Sequence, residues 1–402
     1  MGAAAVGGVA AKVLRQPVLL GYIVAGMALA SGGFFASGST QALLSLLGQL
    51  GVVLLLFLVG LELPLPQLLK LGRSALLSGV LQILVTGILA YVLSQGLGFS
   101  VLVSLFLAIA LTFSSTIVVV KLLSEKGEMD SLPARISLGS LLMQDFVAIG
   151  VLVILSGWSA STNLDWTRLV GVVAKGTGLI MASAWLSGKL FTKVLGWLGK
   201  STEILFIASV GWCLAVAVLV SSPWVGLSSE VGGLLAGLAL ANSATGSQII
   251  VRIRPLRDFF LTWFFVALGA SAGWGNWSGL LPIALVLSAF VLIIKPLVMW
   301  ILVSRSGYGR RVSFLSGLSL GQISEFSLVI VALGVKLGEL PASVLTLVTL
   351  VGMITMTLSS YLISKSNQLY RSCGKWLVGW LPEGRQETAR EEIWNGHAVL
   401  FG

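Results

Sequence analysis

The chain has 402 residues, of which 56% are hydrophobic and only 10% charged. Soluble domains carry about 25% charged residues. This balance, with a mean hydropathy of +1.01, excludes an ordinary water-soluble protein and points to an all-α polytopic membrane protein. The formal charge of +10 is scattered in small groups between apolar runs, so nucleic acid is not an expected partner. Two cysteines exclude a disulfide scaffold or a four-cysteine zinc site.

A spanning helix takes about 20 apolar residues. Thirteen segments are expected, at 2–14, 17–36, 42–63, 74–96, 100–123, 134–157, 169–187, 203–222, 230–247, 259–274, 278–304, 312–335 and 342–364. The first is short and interrupted by Lys12, as a remnant of a longer span would be. Basic residues follow the odd-numbered segments: Lys12 and Arg15; Lys70 and Arg73; Lys126 and Arg135; Lys189, Lys193 and Lys200; Arg252, Arg254 and Arg257; Arg305, Arg310 and Arg311. With Lys365, Arg371, Lys375, Arg385 and Arg390 of the tail, these are 20 of the 25 lysines and arginines. By the positive-inside rule those connections and the C-terminus face the cytoplasm, and the N-terminus faces the opposite side.

Thirteen segments fit two six-span units joined by one extra span, which leaves the units in opposite orientation. Glycine and serine within the spans argue for a tightly packed bundle. The transport-type membrane unit is expected over residues 1–364, and a solvated cytoplasmic linker over 365–396. The run His397-Ala398-Val399-Leu400-Phe401-Gly402 is apolar, strand-like and ends on glycine. It reads either as a frayed terminus or as the first strand of a dinucleotide-binding domain, cut at the first glycine of its turn.

Ionisable residues at membrane depth are costly and are functional candidates by default. Asp145 lies half-way along the sixth segment, directly after Gln144. A carboxylate there offers a hard oxygen ligand to a bare cation and a base to a proton, and the two uses compete. The fifth segment carries Thr112-Phe113-Ser114-Ser115-Thr116 at its centre. Its hydroxyls suit either cation coordination or the bonding of backbone freed by a broken helix. In the twelfth segment, Gln322 and Glu325 are expected on one helical face. Lys295, before Pro296, is expected either to pair with Asp145 or Glu325 or to snorkel to the surface. Glu62 is expected to end the third span, and Cys213 and Cys373 have no assigned role.

These stretches together resemble the second family of monovalent cation:proton antiporters, and within it the potassium-efflux branch that includes the glutathione-gated systems. The resemblance is carried by Gln16-Pro17-Val18-Leu19-Leu20-Gly21-Tyr22, Leu56 to Glu62, Ser114-Ser115-Thr116 through Lys121, Leu142-Met143-Gln144-Asp145, Gly237 to Ala241, Pro255 to Phe260, and Gly321-Gln322 through Glu325-Phe326. It implies two inverted repeats, a core and a dimerisation domain, and two crossing discontinuous helices on the fifth and twelfth segments. It also implies that Asp145 binds the ion with Gln144 as its partner. A Gln at that place leaves one titrating carboxylate, which implies one proton per cation; Lys295 qualifies this, because a basic residue there accompanies electrogenic exchange in some relatives.

The expected function is secondary exchange of potassium, or else sodium, for protons. Asp145 would alternate between cation and proton, helped by Gln144, Ser114, Ser115 and Thr116 and supported by Lys295, Glu325 and Gln322. The alternative is a ligand-gated, channel-like potassium pathway using the same acid. An enzyme is not expected, since the spans carry no His-Glu-x-x-His helix and no nucleophile–base pair. The resemblance also implies a cytoplasmic nucleotide-binding regulatory domain after the transport unit, whose first strand His397 to Gly402 resembles and of which this chain would be a truncated form. Cofactors are not expected within this chain, and a nucleotide would belong to that missing domain. The expected setting is a bacterial inner membrane or its equivalent, with the protein as a homodimer in lipid.

Overall fold

The computed structural model of the chain describes residues 1–35, 37–62, 73–156, 178, 202–222, 225–241, 243, 245–272 and 277–377. The seventh expected segment (residue 178 apart), Lys70, Lys189, Lys193, Lys200 and residues 378–402 with the expected strand lie outside the described residues.

The helices are α1 (Gly2–Val13), α2 (Val18–Ser31), α3 (Gly38–Glu62), α4 (Arg73–Gly96), α5 (Val101–Thr112), α6 (Thr116–Glu125), α7 (Leu132–Ser156) and α8 (Thr202–Val220). They continue with α9 (Ser229–Leu240), α10 (Gly246–Ala272), α11 (Trp277–Ala289), α12 (Lys295–Arg305), α13 (Arg310–Leu318), α14 (Glu325–Lys336), α15 (Ala342–Ser364) and α16 (Ser366–Leu377). Among the described residues, seven helical stretches are long and apolar enough to cross a bilayer. The chain is an integral, multi-pass membrane protein.

Helix packing divides the molecule into two bodies. In one, α1 packs on α2, α2 and α3 pack on α10, and α9 packs on α3 and α8. In the other, α4 packs on α5, α7 and α12, while α14 and α15 close over α5 and α11. Among the described residues, α1–α3 and α8–α10 thus form one body, called here the scaffold, and α4–α7 and α11–α15 the other, the core. This is the division expected of two repeats that fold alike.

The scaffold is held by backbone contact. A Cβ at Gly60 would run into the Leu234 carbonyl of α9, and one at Gly237 into the Phe57 carbonyl of α3. Small residues bring membrane helices this close where no aqueous hydrophobic effect drives them together.

The core is built around two interrupted spans. The fifth breaks between α5 and α6, where Phe113 and Ser115 are extended. No glycine or proline lies at 113–115, so the break rests on side-chain bonding. Ser115 caps α6 by accepting from the Val118 amide at 3.3 Å. The twelfth breaks between α13 and α14, and Ser324 and Ser327 form a reciprocal capping box at the start of α14.

Two sequence expectations are corrected. The tenth helix begins at Gly246, not 259, so Arg252, Arg254 and Arg257 lie on it rather than in a loop. Charge lowers hydropathy, but arginine is a good helix former, so the helix continues past the apolar run. Gln322 does not share a helical face with Glu325, because it lies in the non-helical break that α14 follows.

Candidate functional site

The two breaks meet inside the core, and buried polar side chains tie them together. Ser114 donates through its hydroxyl to the Leu320 carbonyl at 3.0 Å. Ser327 donates to the Ala110 carbonyl at 2.5 Å. The Ile323 amide donates to the Thr355 hydroxyl at 3.4 Å. Unwound backbone in a bilayer must find such partners, because no water is there to supply them.

Lys295 is completely buried and spans both breaks. Its Nζ donates to the Phe113 carbonyl at 2.7 Å and to the Gln322 carbonyl at 2.8 Å. The expectations of pairing with Asp145 or Glu325, or of snorkelling, are therefore replaced by a third arrangement. The side chain bonds backbone oxygens that the broken helices leave free. Its position has a local cause. A π-helical turn at Phe290–Ile294 precedes it, next to Pro296, which cannot donate to the carbonyl one turn back.

Asp145 and Gln144 lie on α7 beside the first break. The Thr116 hydroxyl donates to Asp145 Oδ2 at 2.9 Å, and Asp145 is partly accessible. Gln144 is fully buried. It accepts from the Ser114 amide at 2.7 Å and donates to Gln82 Oε1 at 2.6 Å. The sequence reading missed Gln82, which also bonds Thr86 at 3.1 Å. Its only signal was an amide near the centre of the fourth segment.

Glu325, nearly buried, opens α14 and accepts from the Ser324 hydroxyl at 3.4 Å. It lies within electrostatic reach of Asp145 and close to the Ser115 hydroxyl. Gln322 donates to the Ser319 carbonyl at 3.2 Å, while its Oε1 is buried without a hydrogen-bond partner. All eight candidate residues therefore gather around the two breaks. Asp145, Thr116, Ser115 and Glu325 form one cluster, and Gln144 and Lys295 bond the unwound backbone.

Two cavities lie between core and scaffold, toward opposite ends of the helices. One, of about 500 Å³, is lined by Lys12, Arg15, Gln16 and Asp258 of the scaffold and by Ile117 and Lys121 of the core. Ile117 directly follows Thr116. The other, of about 380 Å³, is lined by Gln49, Glu230 and Phe264 of the scaffold and by Val329 and Lys336 of the core. Glu62, expected only as a helix end, also bridges α3 to Arg254 of α10 at 2.8 Å.

Comparison with known proteins agrees with this architecture. The sodium proton antiporter MjNhaP1 from Methanocaldococcus jannaschii has the same fold, with a TM-score of 0.67 over 91% of this chain and 95% of that one at 15% identity. The iron transporter MagA of Paramagnetospirillum magneticum is 28% identical over 89% of this chain and 82% of its own length. K(+) efflux antiporter 5 of Arabidopsis thaliana is 31% identical over 82% of this chain, which spans only 58% of that protein. Residues 1–364 match the family described as sodium/hydrogen exchanger, transmembrane, and the chain belongs to that family.

Proposed function

We propose that this chain exchanges a monovalent cation for a proton by alternating access, with Asp145 binding the two in turn. The observation that carries the reading is the Asp145 carboxylate, bonded to the Thr116 hydroxyl at the break of a discontinuous span. Carboxylate and hydroxyl oxygens are hard ligands, suited to an alkali cation that must also leave. Protonation removes the negative charge that attracts the cation, so one group couples both ions. Gln144 holds the unwound Ser114 amide in place, and Lys295 holds the carbonyls of both breaks. Gln322 Oε1 is a further buried oxygen available to a cation.

The potassium-efflux name of the plant relative supports potassium as the first cation to test, with sodium as the alternative. The cavities on opposite sides of the breaks support two alternating routes. The clustering of basic residues toward one end supports a cytoplasmic location for the end with Arg254 and Arg311. A homodimer formed through the scaffold completes the reading, and cross-linking in native membranes tests it.

The decisive experiment reconstitutes the full chain in proteoliposomes with an internal pH dye. Potassium or sodium is added with and without valinomycin and a protonophore. Cation-driven proton movement that Asp145→Asn abolishes is the expected result. Cation flux without proton movement would favour a channel. Exchange that survives in Asp145→Asn would place the site elsewhere, with Glu325 next in line.

A further inference from the structure

The second cavity contains a charge pair that the exchange site does not use. Glu230 sits in the first turn of α9, on the scaffold, and Lys336 in the last turn of α14, on the core. Lys336 Nζ lies 3.3 Å from Glu230 Oε1. The helix directions put this pair at the end opposite the Glu62–Arg254 bridge. It is an ion pair between the two bodies, so movement of the core against the scaffold must stretch or break it.

The two partners are unequally placed. The Lys336 side chain is 54% exposed, whereas that of Glu230 is 9% exposed. Apart from Lys336, the carboxylate has one modest side-chain bond, from the Ser229 hydroxyl to Oε2 at 3.2 Å. Ser229 is itself held by Gln49 Nε2 at 2.8 Å. A nearly buried carboxylate that loses its cationic partner must find another. The wall it sits on bounds about 380 Å³ of space between the bodies. Gln49, Ser45 and Ser271, whose side chains carry oxygen ligands, line the same cavity.

We propose that Glu230 is a second, vestibular cation site at this mouth, occupied in the present state by the tethered ammonium of Lys336. An entering monovalent cation competes with Lys336 for the carboxylate. Its arrival releases the link between core and scaffold and delivers the ion to the route toward Asp145. The inference rests on the antiport reading above but concerns different residues.

The test uses the full chain in right-side-out and everted membrane vesicles, which expose opposite faces to added potassium or sodium. Removing the tethered competitor with Lys336→Gln should raise the apparent affinity for cation added at the Glu230 face by about threefold, the scale of a half-exposed ion pair. Affinity at the opposite face should not change. Glu230→Gln should lower affinity at its own face and erase the effect of Lys336→Gln in the double variant. The exchange Glu230→Lys with Lys336→Glu keeps an ion pair but moves the carboxylate to the core. If that variant matches the wild type in affinity at this face, the pair is only a strut and the inference is overturned. Equal changes at both faces, or none with Lys336→Gln, overturn it as well. Wild-type vesicles that move no protons would instead defeat the antiport reading itself.

Discussion

Scaffold and core solve the same problem, close packing of helices in lipid, with different emphasis. In the scaffold, backbone lies against backbone at Gly60 and Gly237. In the core, two helices unwind where they cross, and Lys295, Gln144, Ser114 and Ser327 take up the backbone groups set free. Glycine contacts lock helices at one distance. A bonded break keeps its shape while leaving carboxylate and hydroxyl oxygens beside it. The difference teaches where each kind of damage should appear: a change at the Asp145 cluster should cost transport, and a change at the scaffold glycines should cost stability.

Asp145→Asn is the sharpest way to separate them, and has the largest expected effect. Exchange should fall to the protein-free background, while thermal unfolding in detergent stays near that of the wild type. The amide is the same size and can still accept from Thr116. A large fall in stability would mean that Asp145 is structural, and the contrast between the bodies would fail at its centre.

Lys295→Met probes the core differently, because here stability and transport should fall together. Two buried carbonyls lose their donor, at roughly 1–3 kcal/mol for each one left unpaired. Lys295→Gln, which keeps a donor, should recover part of the loss. Unchanged unfolding in Lys295→Met would show that the breaks hold without it.

Gly237→Ala is the matching change in the scaffold. The new Cβ meets the Phe57 carbonyl, so α9 must move away from α3. Overpacking of this kind costs about 1–3 kcal/mol. The cation affinity of the folded fraction should be that of the wild type. An affinity change without a stability change would reverse the assignment of roles.

Much of this contrast was legible in the sequence. The apolar segments marked the spans, and the lone acid at Asp145 and the hydroxyl run at Thr112 to Thr116 marked the first break. What hydropathy could not show was where a helix continues into polar residues, as α10 does through Arg252, Arg254 and Arg257. Nor could it show partners that are backbone atoms. Lys295 was sought beside a carboxylate because carbonyls carry no signature in sequence. Gln82 escaped notice because an amide costs less to bury than a charge, and so stands out less. The pair Glu230–Lys336 lies 106 residues apart and joins two helix ends that look, in sequence, like ordinary polar termini.

The smallest expected effect lies outside the membrane, where core and tail are joined. Lys126 lies 2.8 Å from Glu128 and also donates to Ser366 at 2.9 Å, at the start of α16. Asn367 donates to Glu128 at 3.0 Å and accepts from Arg311 at 2.9 Å. Partial burial pushes the Glu128 carboxyl up, but the Lys126 ammonium, the Asn367 amide and Arg311 outweigh it and hold the carboxyl below its usual range. A carboxyl lowered by folding stabilises the folded state above its unfolded pKa, and that contribution is lost as pH falls through the folded value. Solvent and salt still reach this part-buried cluster, so the contribution stays within about 1 kcal/mol. Glu128→Gln should therefore unfold slightly earlier than the wild type at neutral pH. The gap should close as the medium is acidified below the carboxylate range, and should shrink in high salt. A gap that persists in acid would mean that Glu128 acts through the shape of its contacts with α16 rather than through its charge.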